Sequence, residues 1–143
     1  MREILFRGKR IDNGEWAEGY LYASNISGCF ILQTQTRHRR LKTGGMELFD
    51  RLITIEVDGT TVGQYTGLTD KNGKKIFEGD IVRTKFGRIC SVRFFCSPYL
   101  CGFDLVSMNS KHRPPTEYDA YRSDNLEIIG NIYDNPVPME VNE

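Results

Sequence analysis

The stretch QYTGLTDKNGKKIFEGDIV, Gln64 to Val82, decides how the rest of this sequence is read. Glycines fall at 67, 73 and 79, an Asn-Gly pair stands at Asn72-Gly73, and Asp70 and Asp80 flank the bends. Glycine tolerates backbone conformations closed to other residues, and Asp accepts hydrogen bonds from nearby backbone N–H groups, so both punctuate tight turns. Asp70-Lys71-Asn72-Gly73 therefore reads as a solvated turn. Ile76 and Phe77 then approach a core, Glu78-Gly79-Asp80 reads as a second bend, and Ile81-Val82 as the start of a strand. The stretch holds no His, Cys or Ser and no metal-ligand spacing. It specifies geometry, so Gly67, Asn72, Gly73, Gly79 and Asp80, with Gly130 further on, are read as structural residues.

Outward from this stretch, strand and turn signals outnumber helical ones. EILFRGKRIDNGEWAEGYLY reads as two extended runs around Asp12-Asn13-Gly14, where Asn-Gly offers the two positive-φ residues of a tight hairpin. In the second run Trp16, Glu18, Tyr20 and Tyr22 share one face, and Ala17, Gly19 and Leu21 the other. CFILQTQT is a third strand. RHRRLKTGGMELFD is basic, then glycine-rich, then mixed, and reads as a long loop or a poorly ordered hairpin tip. In RLITIEV, Ile53, Ile55 and Val57 alternate with Leu52, Thr54 and Glu56. Asp58-Gly59 signals a further hairpin, with TTVGQYTG as the returning strand. DIVRTKFGRICSVRFF turns near Phe86-Gly87, and Cys90, Val92 and Phe94 share a face of its second run. GFDLVSM and NLEIIGNIY complete the strands. Thr116 with Asp119 resembles a helix start, and the proline-containing tail after residue 135 reads as a loose arm.

These signals make a mainly-β protein of one domain, residues 1–143. An N-terminal meander over about 1–61 leads into a small, SH3-like, partly open barrel over about 62–135, followed by the tail 136–143, with at most one or two short helices. The 143 residues are enough to build a core without disulfides or metals. Nineteen basic and nineteen acidic side chains cancel, so attraction to nucleic acid or anionic lipid has to come from a local patch. No apolar run reaches membrane-helix length. MREILFRGKR lacks the apolar core of a secretory signal, and Cys29, Cys90, Cys96 and Cys101 form no CxxC pair, which points to reduced thiols in a cytoplasm.

Three blocks carry a resemblance: REILFRGK near the N-terminus, VGQYTGLTDKNGKKIFEGDIV in the middle, and EIIGNIYDNP near the end. Together, and in this order, they resemble the YopX family of bacteriophage and prophage proteins. The hallmark runs correspond to Gln64–Leu68, Asp70–Gly73, Phe77–Val82 and Ile129–Pro136; the segments from about Tyr22 to Arg51 and Cys96 to Asp124 are less typical. The resemblance implies a small, soluble, phage- or prophage-encoded protein that assembles into oligomers, with no established activity and no catalytic residues to carry over.

Among the candidate sites, Asp70, Glu78 and Asp80 fit turn chemistry, and a metal site would need further ligands that spacing does not supply. The basic cluster Arg37, His38, Arg39, Arg40 and Lys42 reads as a solvated loop or, as the alternative, a phosphate-gripping surface joined by Arg7, Lys9 and Arg10. Cys90, Cys96 and Cys101 with His112 lack zinc-ligand spacing. Trp16, Tyr20, Tyr22, Phe30, Tyr65, Phe77, Phe94 and Phe95 read as β core, some at an oligomer interface. The expectation is a non-enzymatic accessory protein without cofactor or metal and with no membrane partner. It self-associates and binds a host or phage macromolecule through loops on a β scaffold; the alternative is a nucleic-acid-binding module using the basic loop 37–42.

Overall fold

The computed structural model describes residues 3–99, 101–108 and 125–135. Its strands are β1 (Phe6–Arg10), β2 (Trp16–Ser24), β3 (Gly28–Arg40), β4 (Met46–Thr69), β5 (Lys75–Phe77), β6 (Asp80–Arg83), β7 (Ile89–Cys96), β8 (Cys101–Ser107) and β9 (Glu127–Asn131). No α-helix occurs among the described residues. The helix start expected at Thr116 to Asp119, His112 and the tail from residue 136 lie outside them. The chain forms two compact units, Leu5–Val62, and Met1–Ile4 with Gly63–Glu143; β4 carries the chain from the first into the second.

The first unit is an antiparallel meander, β1-β2-β3-β4, in which β1 also pairs with β4, so the sheet is partly ring-like. Its core is Ala17, Ile31 and Val57, with Phe6, Leu21, Cys29, Ile55 and Val62 packed against them. The alternations read in β2 and in 52–57 place these residues inward. At the first hairpin only Gly14 is left-handed (φ +73°), not Asn13. Arg10 N–H donates to Glu15 O, which leaves four residues in the connection rather than the two that need a paired positive φ.

Two expectations fail here. Asp58-Gly59 does not turn; it lies inside the 24-residue β4. Asp58 Oδ1 accepts from Thr60 N–H and Oγ–H, and Asp58 O accepts from Thr61 Oγ–H at 2.6 Å, so these side chains serve the strand's own backbone. Gly59 is needed because a Cβ there would lie 2.9 Å from Cys29 Sγ. This glycine marks a close approach within a strand. The second failure is the segment Arg37 to Asp50. It is a paired ribbon: β3 and β4 stay in unbroken register from Cys29↔Val57 out to Arg40↔Met46, and only residues 41–45 form the tip.

In the second unit the end of β4 pairs with β5 through Tyr65↔Phe77 and Thr69↔Lys75, irregular between them, where Gly67 is left-handed. A four-stranded sheet of order β8-β7-β6-β9 completes it. Ile76, Val82, Cys90, Val92, Leu105 and Leu126 form its core. The β6–β7 hairpin turns at Gly87 (φ +81°), as read. Ile89 to Val92 are all buried, so both faces of β7 are covered at its start, whereas Phe94 and Phe95 emerge into solvent. At the β7–β8 hairpin the cysteine expectation is corrected. Strand pairing sets Cys96 opposite Cys101 with Cα atoms 4.0 Å apart, and the two are disulfide-bonded. Cys29 and Cys90 are free.

Candidate functional site

The hallmark residues are spent on backbone. Asp70 is 4 % exposed. Its Oδ1 accepts from Asn72 N–H (2.8 Å) and Lys74 N–H (2.9 Å), closing the turn, and its Oδ2 accepts from Ile128 N–H (3.1 Å), fifty-eight residues away. Burial pushes the Asp70 carboxyl up, but these three N–H donors, helped by the Lys74 charge, outweigh it and hold it below the ordinary carboxylate value. Lys71 N–H adds a bond to Leu126 O. The turn that looks local in sequence is thus sewn to the entry of β9.

Asp80, 1 % exposed, accepts from Phe77 N–H at 2.8 Å across the Glu78-Gly79 bend. Gly79 sits at φ +93°, and a Cβ there would lie 2.9 Å from Tyr133 Cε2. Gly73 is left-handed, while Asn72 is not. Gly130 keeps an ordinary φ but leaves room for Asn135, whose Oδ1 would be 2.5 Å from an added Cβ. Among the described residues, no three His, Cys, Asp or Glu side chains gather as metal ligands.

The basic residues are not a loop. Arg37, His38, Arg39 and Arg40 lie on β3, and Lys42 in the tip. Strand alternation separates them: Arg37 and Arg39 continue the face that carries buried Ile31, and His38 and Arg40 the opposite face. Arg39 is already engaged, with Nη2 2.8 Å from Glu47 Oε2 and its guanidinium 5.1 Å above the Phe49 ring. Arg37 Nε donates to Gln35 Oε1. Arg7 and Lys9 instead stack on Trp16, at 4.6 and 5.7 Å from its ring centre. Arg10 is held bidentately by Asp12, so the structure does not gather these cations into one phosphate grip.

The ribbon carries a second pattern, which the sequence reading missed. Along the inner face the residues run Ile31, Gln33, Gln35, Arg37, Arg39, turning from buried apolar to polar. The outer face is mixed: β3 gives it Leu32, Thr34, Thr36, His38 and Arg40, and β4 gives it Thr54, Leu52, Asp50, Leu48 and Met46. Met46, Leu48 and Leu52 point outward and are 63, 63 and 62 % exposed. By register, Tyr20, Tyr22, Phe30 and Leu32 share that outward face. The alternation Met-Glu-Leu-Phe-Asp-Arg-Leu was the available signal, hidden because Asp50 breaks it on the outward face and Glu47, Phe49 and Arg51 mix character on the other.

The remaining candidates disperse. Tyr65 and Phe77 form a cross-strand pair 5.5 Å apart, and Phe94 meets Phe103 edge-on at 5.3 Å. Cys90 is buried, and burial pushes its thiol up, away from the nucleophilic thiolate. A small apolar cavity of about 150 Å³ lies among Leu68, Ile76, Val92, Phe103, Leu105 and Leu126.

A family model described as "YopX protein" matches residues 5–140, so the chain belongs to the YopX family. Among solved structures it is similar to protein EF1440 from Enterococcus faecalis, at 20 % identity and a TM-score of 0.58, over 98 % of this chain and 100 % of that one. At that identity the likeness speaks for the fold alone. The comparison with curated proteins gives no match.

Proposed function

We propose that this is a non-enzymatic, phage- or prophage-encoded accessory protein. It self-associates and recognises a macromolecule through the β3–β4 ribbon, not through a catalytic pocket. One observation carries this reading: three large apolar side chains of the ribbon stand exposed on the face turned away from its own unit's core. A two-stranded hairpin alone in water is marginal, and a row of exposed large apolar side chains is the usual mark of an interaction surface. Met46, Leu48 and Leu52, interrupted by Asp50 and extended by Tyr20 and Tyr22, supply such a surface, with Arg40 opposite Met46 and His38 opposite Leu48. Aromatic, Met and Arg side chains are the types enriched at protein interfaces. A second copy covering this face is the first partner the chemistry suits.

Light scattering tests it. The wild-type chain is expected at a multiple of 16.4 kDa at micromolar concentration, and the Leu48→Glu/Leu52→Glu double variant at that mass itself with unchanged circular dichroism. A wild-type mass of one chain sinks the self-association.

The nucleic-acid reading keeps one supporting observation. Arg37, Arg39, Arg40, Lys42 and Arg51 against Glu47 and Asp50 leave the ribbon three positive charges in excess, in a chain of zero formal charge. A two-stranded ribbon fits a major groove. A mobility shift at low salt that fades steeply with added salt would support it; none with single- or double-stranded DNA or RNA removes it.

A further inference from the structure

In the second unit the turn after β4, the β6–β7 turn and the start of β9 surround a cavity of about 390 Å³, lined by Lys71, Arg83, Thr84, Lys85 and Glu127 among others. Three cations and one carboxylate line it, and two of the cations reach the carboxylate. Glu127 Oε2 is 3.8 Å from Lys71 Nζ, and Oε1 is 3.5 Å from Arg83 Nη1. Both separations exceed the 2.7–2.9 Å of a good charge-assisted hydrogen bond, so the single acid is shared loosely between two cations. Lys85 has no ion pair among the described residues; its Nζ lies 5.9 Å from the Phe86 ring.

The backbone that presents these groups is fixed. Lys71 N–H donates to Leu126 O, Asp70 ties the same turn to Ile128, and Arg83 stands directly opposite Glu127 in the β6–β9 register. Two positive charges therefore remain in excess over this open, solvent-facing cleft.

We propose that this cavity binds a phosphate group, held between Lys71, Arg83 and Lys85, with Glu127 as the internal competitor that occupies Lys71 and Arg83 when the ligand is absent. The site is independent of the ribbon and gives the Lys71 of the hallmark turn a role besides solvation. The group could arrive on a nucleotide or on a nucleic-acid backbone, since the chemistry that recognises it is the same.

Amide chemical shifts of the full chain, titrated with inorganic pyrophosphate, a nucleoside diphosphate and a short single-stranded oligonucleotide in separate arms, test the proposal. Saturable shifts at Lys71, Lys85, Gly87 and Glu127 are expected with pyrophosphate, and whichever of the nucleotide and oligonucleotide arms responds at the lower concentration names the source. Lys71→Gln and Arg83→Gln should each weaken binding about three- to tenfold, and Glu127→Gln should tighten it by a similar factor, because it frees both cations. Thermal melting confirms that each variant is folded, and Glu127→Gln keeps the test alive if a lysine or arginine variant is not. No saturable shift at these amides up to millimolar ligand overturns the proposal, as does a Glu127→Gln variant that binds no tighter than wild type.

Discussion

Replacing Asp70 by Asn separates the two jobs its carboxylate performs. The amide oxygen of the substituted side chain can still accept from Asn72 and Lys74 N–H, which keeps the turn. The NH₂ group then faces Ile128 N–H, donor against donor, where the carboxylate accepted at 3.1 Å. Hydrogen bonds to a charged group contribute roughly 1.5–3 kcal/mol, and a buried polar group left unpaired costs about 1–3 kcal/mol. Asp70→Asn should therefore cost about 2–3 kcal/mol. Asp70→Ala, which abandons all three donors, should cost roughly 3–5 kcal/mol. The effect depends on pH with a definite sign. The folded-state carboxyl lies below its ordinary value, so the unfolded chain binds the proton more readily. The stabilisation is whole above a pH of about 4 and disappears as the pH falls through the lowered folded value. Urea denaturation followed by far-ultraviolet circular dichroism at pH 7 and pH 3 gives the magnitude. Amide hydrogen exchange at Ile128 gives the location, with much faster exchange expected in Asp70→Asn. Equal stability of wild type and Asp70→Asn at pH 7, or an unchanged Ile128 exchange rate, would refute the idea that the hallmark turn is sewn to β9.

Other outcomes follow from the same geometry. Gly79→Ala should cost more than about 2 kcal/mol, because a left-handed residue with Tyr133 Cε2 at 2.9 Å must both strain and shift a neighbour, whereas Gly14→Ala, with nothing within 4 Å, should cost about 1 kcal/mol; paired urea titrations compare them. Arg39→Ala should change stability by less than about 1 kcal/mol despite its short bond to Glu47, because both groups are about half exposed and the pair is screened by water; a denaturation midpoint shifted further would contradict this. In a thiol-modification time course without reductant, Cys29 should react in the native protein and fully buried Cys90 only on unfolding, with Cys96 and Cys101 silent until reduced.

What was legible in the sequence was local. The bends at Asp12–Gly14, Asp70–Gly73, Glu78–Asp80 and Phe86–Gly87 announce themselves through residues whose backbone preferences act within four positions. Inward alternation in β2 and in 52–57 was legible because each has one face on a core. The ribbon was not, because its cations and apolar residues alternate across two strands, and no core orders them. Asp58-Gly59 misled because a glycine demanded by Cys29 on the neighbouring strand looks the same as one demanded by a turn. The Asp70–Ile128 bond, the Cys96–Cys101 pairing and the meeting of Lys71, Arg83 and Glu127 depend on which strands lie side by side. Spacing along the chain does not encode that.

Shortening the ribbon addresses the functional account most directly. Thr34 and Leu52 are paired in register, so replacing residues 35–51 by Asn-Gly should close a two-residue hairpin without disturbing the core around Ile31 and Val57. Sedimentation velocity of the two chains then decides. The account predicts assembled wild type and a folded, single-chain shortened protein; a shortened protein that sediments as the same assembly would contradict it.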